Sequence, residues 1–246
     1  VASIAQASTA PSKFFPNLPE MPLIVVVLAG LAVGSLCGLI NGTIIAKTKI
    51  PPFIATLGML TILRGVCLFY SNGKTISGFT PQVNRIGDKI GVVPIPVIIF
   101  AFVIFICWVL LNHTRFGSDT YAIGGNEEAA EVSGVKIDKT LIKVYLLSGI
   151  LCGIAAIVYA GRVHSLQPNT AEGYELTAIA AAVIGGTSLN GGIGTIGGTV
   201  VGAIILASMR NGMTLLGMDA YWQEIVEGII IIAAVVVDRR KSRKKK

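Results

Sequence analysis

Seven apolar runs alternate with short polar stretches along the chain. Crossing a bilayer core about 30 Å thick takes about 20 apolar residues of helix, or somewhat fewer where neighbouring helices support the ends. Residues Leu23 to Ala46 form a charge-free run, Pro51 to Tyr70 holds one charge at Arg64, and Val92 to Leu111 holds none. Leu141 to Gly161 carries only Lys143, near its start. Two shorter runs, Tyr174 to Ser188 and Ile193 to Met209, are separated by Leu189-Asn190-Gly191-Gly192, and Trp222 to Val237 closes the set. Tyr221 and Trp222 sit where aromatic residues anchor a helix at a membrane interface. The pattern predicts an all-α, polytopic membrane helix bundle of about seven transmembrane segments.

Glycines within these runs indicate how the helices meet. Little hydrophobic force acts between helices in lipid, so close backbone approach must supply the contact. Gly30, Gly34, Gly38 and Gly42 recur every four residues along one run, Gly194, Gly198 and Gly202 along another, and Gly149 with Gly153 begins a third ridge.

Composition agrees. Of 246 residues 53% are hydrophobic and 13% charged, with a mean hydropathy of +0.75. That is too little charge to coat a water-soluble globule, where roughly a quarter of residues are charged, and too much hydropathy for disorder. The formal charge of +7 is a property of the tail: Asp238 to Lys246 hold seven basic residues and one acid. The excess is therefore no nucleic-acid-binding face. Cytoplasmic flanks collect Lys and Arg, which places the tail residues Arg239, Arg240, Lys241, Arg243, Lys244, Lys245 and Lys246 inside. Counting back through seven spans puts residues 1–22 outside, 47–50 inside, 71–91 outside and 112–140 inside. Without the tail the two sides hold equal numbers of Lys and Arg, so the tail decides the orientation. An odd span number with residue 1 outside predicts further membrane segments upstream.

The sequence offers little chemistry. Cys37, Cys67, Cys107 and Cys152 each lie in an apolar run without CxxC pairing, as buried thiols do. Gly192-Ile193-Gly194-Thr195-Ile196-Gly197 spells a dinucleotide fingerprint but lacks the βαβ context that gives the motif meaning. Gly73-Lys74-Thr75 looks like the end of a phosphate loop, yet Leu68 stands where the first glycine belongs. There is neither a complete GxSxG elbow nor an HExxH pair. These readings predict a chain without catalytic, cofactor or metal sites of its own.

One polar stretch stands apart, Tyr121 to Val135. Asn126 is a good N-cap, Glu127 and Glu128 complement the positive end of a helix dipole, and Gly134 can take the left-handed conformation that ends a helix. A helix of about two turns is predicted from Glu127 to Ser133, outside the bilayer. Its small residues Ala129 and Ala130, with Val132, suit a groove on a partner, and Glu127, Glu128 and Glu131 suit basic side chains at its rim. Among charges in the spans, Arg64 lies close enough to the outer end to snorkel and Lys143 sits at the inner edge. Glu227 points to a contact with other helices rather than lipid. Glu172 and Glu175 precede a short apolar run that reads as a broken helix entering from outside.

Glu128-Ala129-Ala130 followed by Gly134 resembles the EAA loop of permease subunits in ATP-binding-cassette importers, the element that docks on a cytoplasmic ATPase. Gly38-Leu39-Ile40-Asn41-Gly42, Pro52-Phe53-Ile54-Ala55-Thr56-Leu57-Gly58-Met59, Ala122-Ile123-Gly124-Gly125-Asn126, and Tyr174 to Ala181 leading into Gly185-Gly186-Thr187-Ser188 resemble the ribose and galactose class of sugar permeases. The resemblance spans residues 21–238. It implies a single transmembrane permease domain over residues 1–238 containing a coupling loop at 112–140, then a basic cytoplasmic tail at 239–246. Complete family members would carry about ten spans. It further implies a second permease subunit, in a homodimer, a cytoplasmic ATPase below, a sugar-loaded periplasmic or surface protein above, and residence in a bacterial cytoplasmic membrane. ATPase coupling falls to Asn126, Glu127, Glu128, Ala129, Ala130, Glu131 and Gly134. A sugar path needs hydroxyl-compatible groups at depth without fixed charge, which marks Asn41, Thr43, Thr56 and Ser188 by polarity and Phe53 as a stacking surface. A secondary transporter or channel acting alone is the alternative, since glycine-broken helices suit those too.

Overall fold

Where the chain enters lipid it must satisfy its own backbone hydrogen bonds, and the helix does so within one segment. Each of the seven apolar runs becomes helical in the computed structural model, which describes residues 1–8, 14–15 and 19–243; the last three basic residues of the predicted tail lie outside that range. The main helices are α1 (Leu23–Thr48), α2 (Pro52–Ser71), α3 (Pro81–Asn84), α4 (Ile95–His113), α5 (Arg115–Gly125), α6 (Glu127–Val132), α7 (Ile137–Val163), α8 (Tyr174–Ile184), α9 (Ile196–Leu215) and α10 (Ala220–Arg243). Strand structure among the described residues is limited to two-residue pieces, β1 (Ile76–Ser77), β2 (Lys89–Ile90), β3 (Val93–Pro94) and β4 (Ser165–Leu166). Among the described residues five helices, α1, α2, α4, α7 and α9, are long and apolar enough to cross a membrane. The protein is a polytopic helical membrane protein.

Two of the seven predicted segments come out differently. The run at Tyr174 to Ser188 stops being helical at Ile184, because Gly185 and the left-handed Gly186 turn the backbone away. The resulting 11-residue helix α8 reaches about 17 Å, roughly half a bilayer core. The run at Ile193 to Met209 instead starts at Ile196 and continues to Leu215. Arg210, the residue directly beyond the predicted run, therefore belongs to a helix.

The chain divides into two compact units, Val1–Phe105 with Lys136–Thr170, and Ile106–Val135 with Ala171–Lys246. In the first, α1 and α7 pack antiparallel along the two predicted glycine ridges. A Cβ on Gly34 would overlap the Gly149 carbonyl oxygen, one on Gly149 would overlap the Gly34 carbonyl oxygen, and one on Gly38 would overlap the Tyr145 carbonyl oxygen. Backbone lies directly on backbone, an approach only glycine permits and the arrangement in which Cα–H groups meet carbonyl oxygens. At one end of this pair three polar segments are sewn together. β1 pairs antiparallel with β4, Ile76 opposite Leu166, and Gln6 bridges to Phe79 and donates its amide to the Ser77 carbonyl at 2.9 Å. The Ser3 and Tyr70 hydroxyls lie 2.9 Å apart, and His164 Nδ1 meets Asn84 Oδ1 at 2.8 Å. The start of the chain, the α2–α4 connection and the end of α7 thus share a side, as alternating crossings require.

In the second unit α8 and α9 form a tight hairpin. A Cβ on Gly202 would overlap the Ala181 carbonyl, and Gly185 and Gly198 would each overlap the other's carbonyl oxygen. Ala180, Ala181 and Leu206 are buried between them, with Ile230 and Ile231 of α10 packed alongside.

These glycines separate stability from mere presence in a helix. Gly34→Val should lower thermal stability in detergent by at least the ~1–3 kcal/mol typical of an overpacked core. Gly58→Ala and Gly65→Ala, where a side chain meets open space, should leave the melting temperature unchanged.

Candidate functional site

The stub α6, the candidate coupling element, is fixed by its own sequence at both ends. Asn126 adopts an extended conformation, and its side chain accepts a hydrogen bond from the Ala129 N–H at 3.0 Å. At the other end Gly134 takes φ +86°, its N–H reaching the Glu131 carbonyl at 2.9 Å while the Val135 N–H reaches Ala130 at 3.0 Å. Those two bonds are a Schellman closure, and they satisfy carbonyls that a six-residue helix would otherwise leave bare. The Ser133 hydroxyl adds a bond to the Ala129 carbonyl at 2.8 Å. The helix ends at Val132 with Ser133 as its C-cap, one residue short of the predicted end.

The stub has two faces. Ala130 is 4% exposed and turned into its own chain, so it does not join the outward surface expected of it. Outward stand Val132 at 91% exposure, with Ala129, Glu127, Glu128 and Glu131. The outward face is therefore one apolar knob ringed by three carboxylates.

Preceding the stub is α5, an 11-residue helix where the sequence was read as loop. It leaves α4 through a tight corner: a Cβ on Gly117 would overlap the Leu111 carbonyl, and the Thr114 hydroxyl bonds the Leu110 carbonyl at 2.6 Å. At its far end α5 meets the turn between α8 and α9. The Tyr121 hydroxyl donates to the Gly194 carbonyl at 2.8 Å, and the Gly124 backbone lies against Gly191 and Gly192.

A polar cluster joins α8, α9 and α10. Arg210 donates to Glu227 Oε2 from Nε at 3.0 Å and from Nη2 at 2.5 Å, and the Thr177 hydroxyl donates to Oε1 of the same carboxylate. The Arg210 guanidinium also lies 5.8 Å from the centre of the Tyr174 ring, within cation–π range. Glu227 is 6% exposed. Arg210 lies about 21 Å along α9 from Ile196, and Glu227 about 10 Å into α10. An unpaired charge at such depth is costly, whereas the guanidinium and the carboxylate cancel one another. The signal in the sequence is a lone base directly after one apolar run and a lone acid within the next.

The pore candidates are dispersed. Asn41 lies on α1, partly buried, and among the described residues its Oδ1 finds no hydrogen-bond partner. Phe53, 69% exposed, and Thr56 sit near the start of α2. The Thr56 hydroxyl is spent on the Pro52 and Phe53 carbonyls at 2.9 and 3.2 Å, and Thr43 bonds Leu39 at 2.7 Å. Ser188, in the other unit, occupies the α8–α9 turn, where its hydroxyl accepts from the Asn190 N–H at 3.3 Å.

Apolar helices, a half-length helix backed by a hairpin partner, and a doubly capped stub between α5 and α7 define a multi-pass membrane permease. Residues 1–235 match the family described as the permease component of the branched-chain amino acid transport system, and the chain belongs to that family. It is 46% identical over 228 residues to the ribose import permease protein RbsC of Escherichia coli K12, covering 90% of this chain and 71% of that protein. Against RbsC of Bacillus subtilis 168 the identity is 46% over 206 residues, 82% of this chain and 64% of the other. Against the galactose/methyl galactoside import permease protein MglC of E. coli K12 it is 41% over 253 residues, 100% and 75%. No solved structure matches the chain.

Removing one partner of a buried ion pair strands the other, at a cost of about 3–5 kcal/mol. Arg210→Met should therefore destabilise the protein more than the double replacement Arg210→Met with Glu227→Leu. Thermal melts of both single variants and the double variant measure that coupling.

Proposed function

We propose that the chain is the permease subunit of an ATP-driven importer for a monosaccharide of the ribose or galactose class. Both kinds of relative are named for such sugars, and the shared 41–46% identity runs along nearly the whole chain. A separate cytoplasmic ATPase supplies the energy, a sugar-binding protein delivers cargo from outside, and a second permease copy completes the pathway in a bacterial cytoplasmic membrane. The chain itself contributes no catalysis. The observation that carries this reading is α6: six helical residues capped at both ends, presenting Val132 and three carboxylates outward.

A partner that changes shape on binding ATP can shift the permease between inward- and outward-open states only through contacts that differ between them. A frayed loop would absorb the push. Asn126 and the Gly134 closure keep the stub stiff, so displacement reaches α5 and α7. Val132 and Ala129 would enter a groove on the ATPase, with Glu127, Glu128 and Glu131 meeting basic side chains at its rim. The orientation follows: the stub and the C-terminal tail face the cytoplasm, and the sewn segments around β1 and β4 face outward, where a cargo protein docks.

An uncharged sugar needs hydrogen-bonding groups without a counter-ion. Asn41, with an acceptor oxygen lacking a partner among the described residues, is the best placed of the pore candidates. Phe53, Thr56 and Ser188 are secondary members of the path.

Ala129→Arg or Gly134→Pro should leave the protein in the membrane yet abolish ATP-dependent uptake of labelled ribose or galactose, because the first blocks the groove and the second cannot adopt φ +86°. Unchanged uptake by either variant would refute the coupling role. Asn41→Leu should lower uptake about tenfold, within the ~1–3 kcal/mol cost of leaving one polar group without its partner, while the ATPase still co-purifies at wild-type stoichiometry.

A further inference from the structure

The coupling stub is continuous in sequence with α5, and it is the end of α5 that meets another part of the second unit. Two residues before Asn126, the backbone of Gly124 rests on the turn that joins α8 to α9. A Cβ on Gly124 would come within 2.5 Å of the Gly192 nitrogen, and one on Gly191 would overlap the Gly124 carbonyl oxygen. The turn is built to accept this contact: Gly191 and Gly192 have φ values of +89° and +73°, a succession that side chains resist. It is held shut by the Ser188 N–H on the Ile193 carbonyl at 2.9 Å and the Gly191 N–H on Ser188 at 3.2 Å. Tyr121, one turn back on α5, pins the same turn by its bond to Gly194 at 2.8 Å. Beyond the turn, Thr195 caps α9 by accepting from the Gly198 N–H at 3.1 Å. The hairpin continues without a gap into the Gly185–Gly198 and Ala181–Gly202 backbone contacts.

Apart from the hydrogen bonds of the Tyr121 and Thr195 side chains, each link is backbone on backbone and has no rotamer to take up displacement. We infer that the α8–α9 turn is a relay, receiving motion of the coupling stub through Gly124 and Tyr121 and passing it to the α8–α9 hairpin. Gly124, Tyr121 and Gly191 are positioning residues that touch neither sugar nor ATPase. The hairpin then moves as one body with α5, although some 60 residues of chain separate Gly124 from the turn. Because α8 spans only about half the bilayer core, its displacement would change the depth at which the chain leaves helical structure.

This inference rests on the importer reading, and one experiment separates the two. The permease is reconstituted in liposomes with the ATPase and sugar-binding protein of its own transport system, and labelled ribose and galactose are each followed alongside ATP consumption. Gly124→Ala should lower sugar moved per ATP by about fivefold, and Tyr121→Phe by about twofold, within the range for residues on a coupling path. Both should keep wild-type ATPase association. Gly125→Ala, whose side chain meets open space, should match the unaltered protein. Where Gly124→Ala fails to reach the membrane, Tyr121→Phe decides, since it removes a single oxygen. Wild-type sugar-to-ATP ratios in the relay variants overturn the relay alone, as does an equal loss in Gly125→Ala or loss of ATPase binding in Tyr121→Phe. If the unaltered permease moves neither sugar on ATP, the importer reading falls and the relay with it.

Discussion

Backbone lying against backbone is the contact on which the rest of the structure depends. A helix in lipid gains nothing by hiding leucine from leucine, so what holds two helices together is the number of atoms brought to van der Waals distance. Removing side chains at four-residue intervals lets whole helical surfaces meet. The chain does this twice, along Gly34, Gly38 and Gly149 in α1 and α7 and along Gly185, Gly198 and Gly202 in α8 and α9. Both pairs are antiparallel and both leave the larger apolar side chains pointing away, free to face lipid or a second subunit.

Such contacts also make each pair stiff. There is no rotamer to change between two carbonyls and two Cα atoms, so a push at one end of a glycine-packed pair arrives at the other. That property matters in a permease whose energy comes from elsewhere. In the proposed coupling the capped stub is the point of application, and α5 is held at both ends, by the tight corner at Gly117 and by the Gly124 contact. The Arg210–Glu227–Thr177 cluster ties α8, α9 and α10 at the opposite end of the hairpin, with its two charges cancelling one another.

Much of this was legible in the residues. The spans followed from hydropathy because the bilayer imposes a length, and both caps of the stub followed from Asn126 and Gly134 because capping is decided within four residues. The glycine ridges were visible as a period, although which ridge met which was not. Local rules also misled. Hydropathy continued through Gly185 to Ser188, but the backbone did not stay helical. The apolar run stops short of Arg210 because a charge ordinarily ends a span, whereas the helix continues through it and its partner lies in the next helix. Ala130 was counted in the outward face of the stub, and the chain buries it instead. Helix α5 was read as loop because its apolar content is low.

The sequence by itself determined the membrane-spanning class, the helical segments and the stiff stub, since each depends on the chemistry of neighbours along the chain. Only the tertiary structure decided the partners: Gly34 with Gly149, Arg210 with Glu227, Gly124 with the Gly191 turn. Pairing across a bundle depends on which backbones can approach without a Cβ and which lone charges can find each other. Those are properties of surfaces brought together by folding, and no local pattern of residues encodes them.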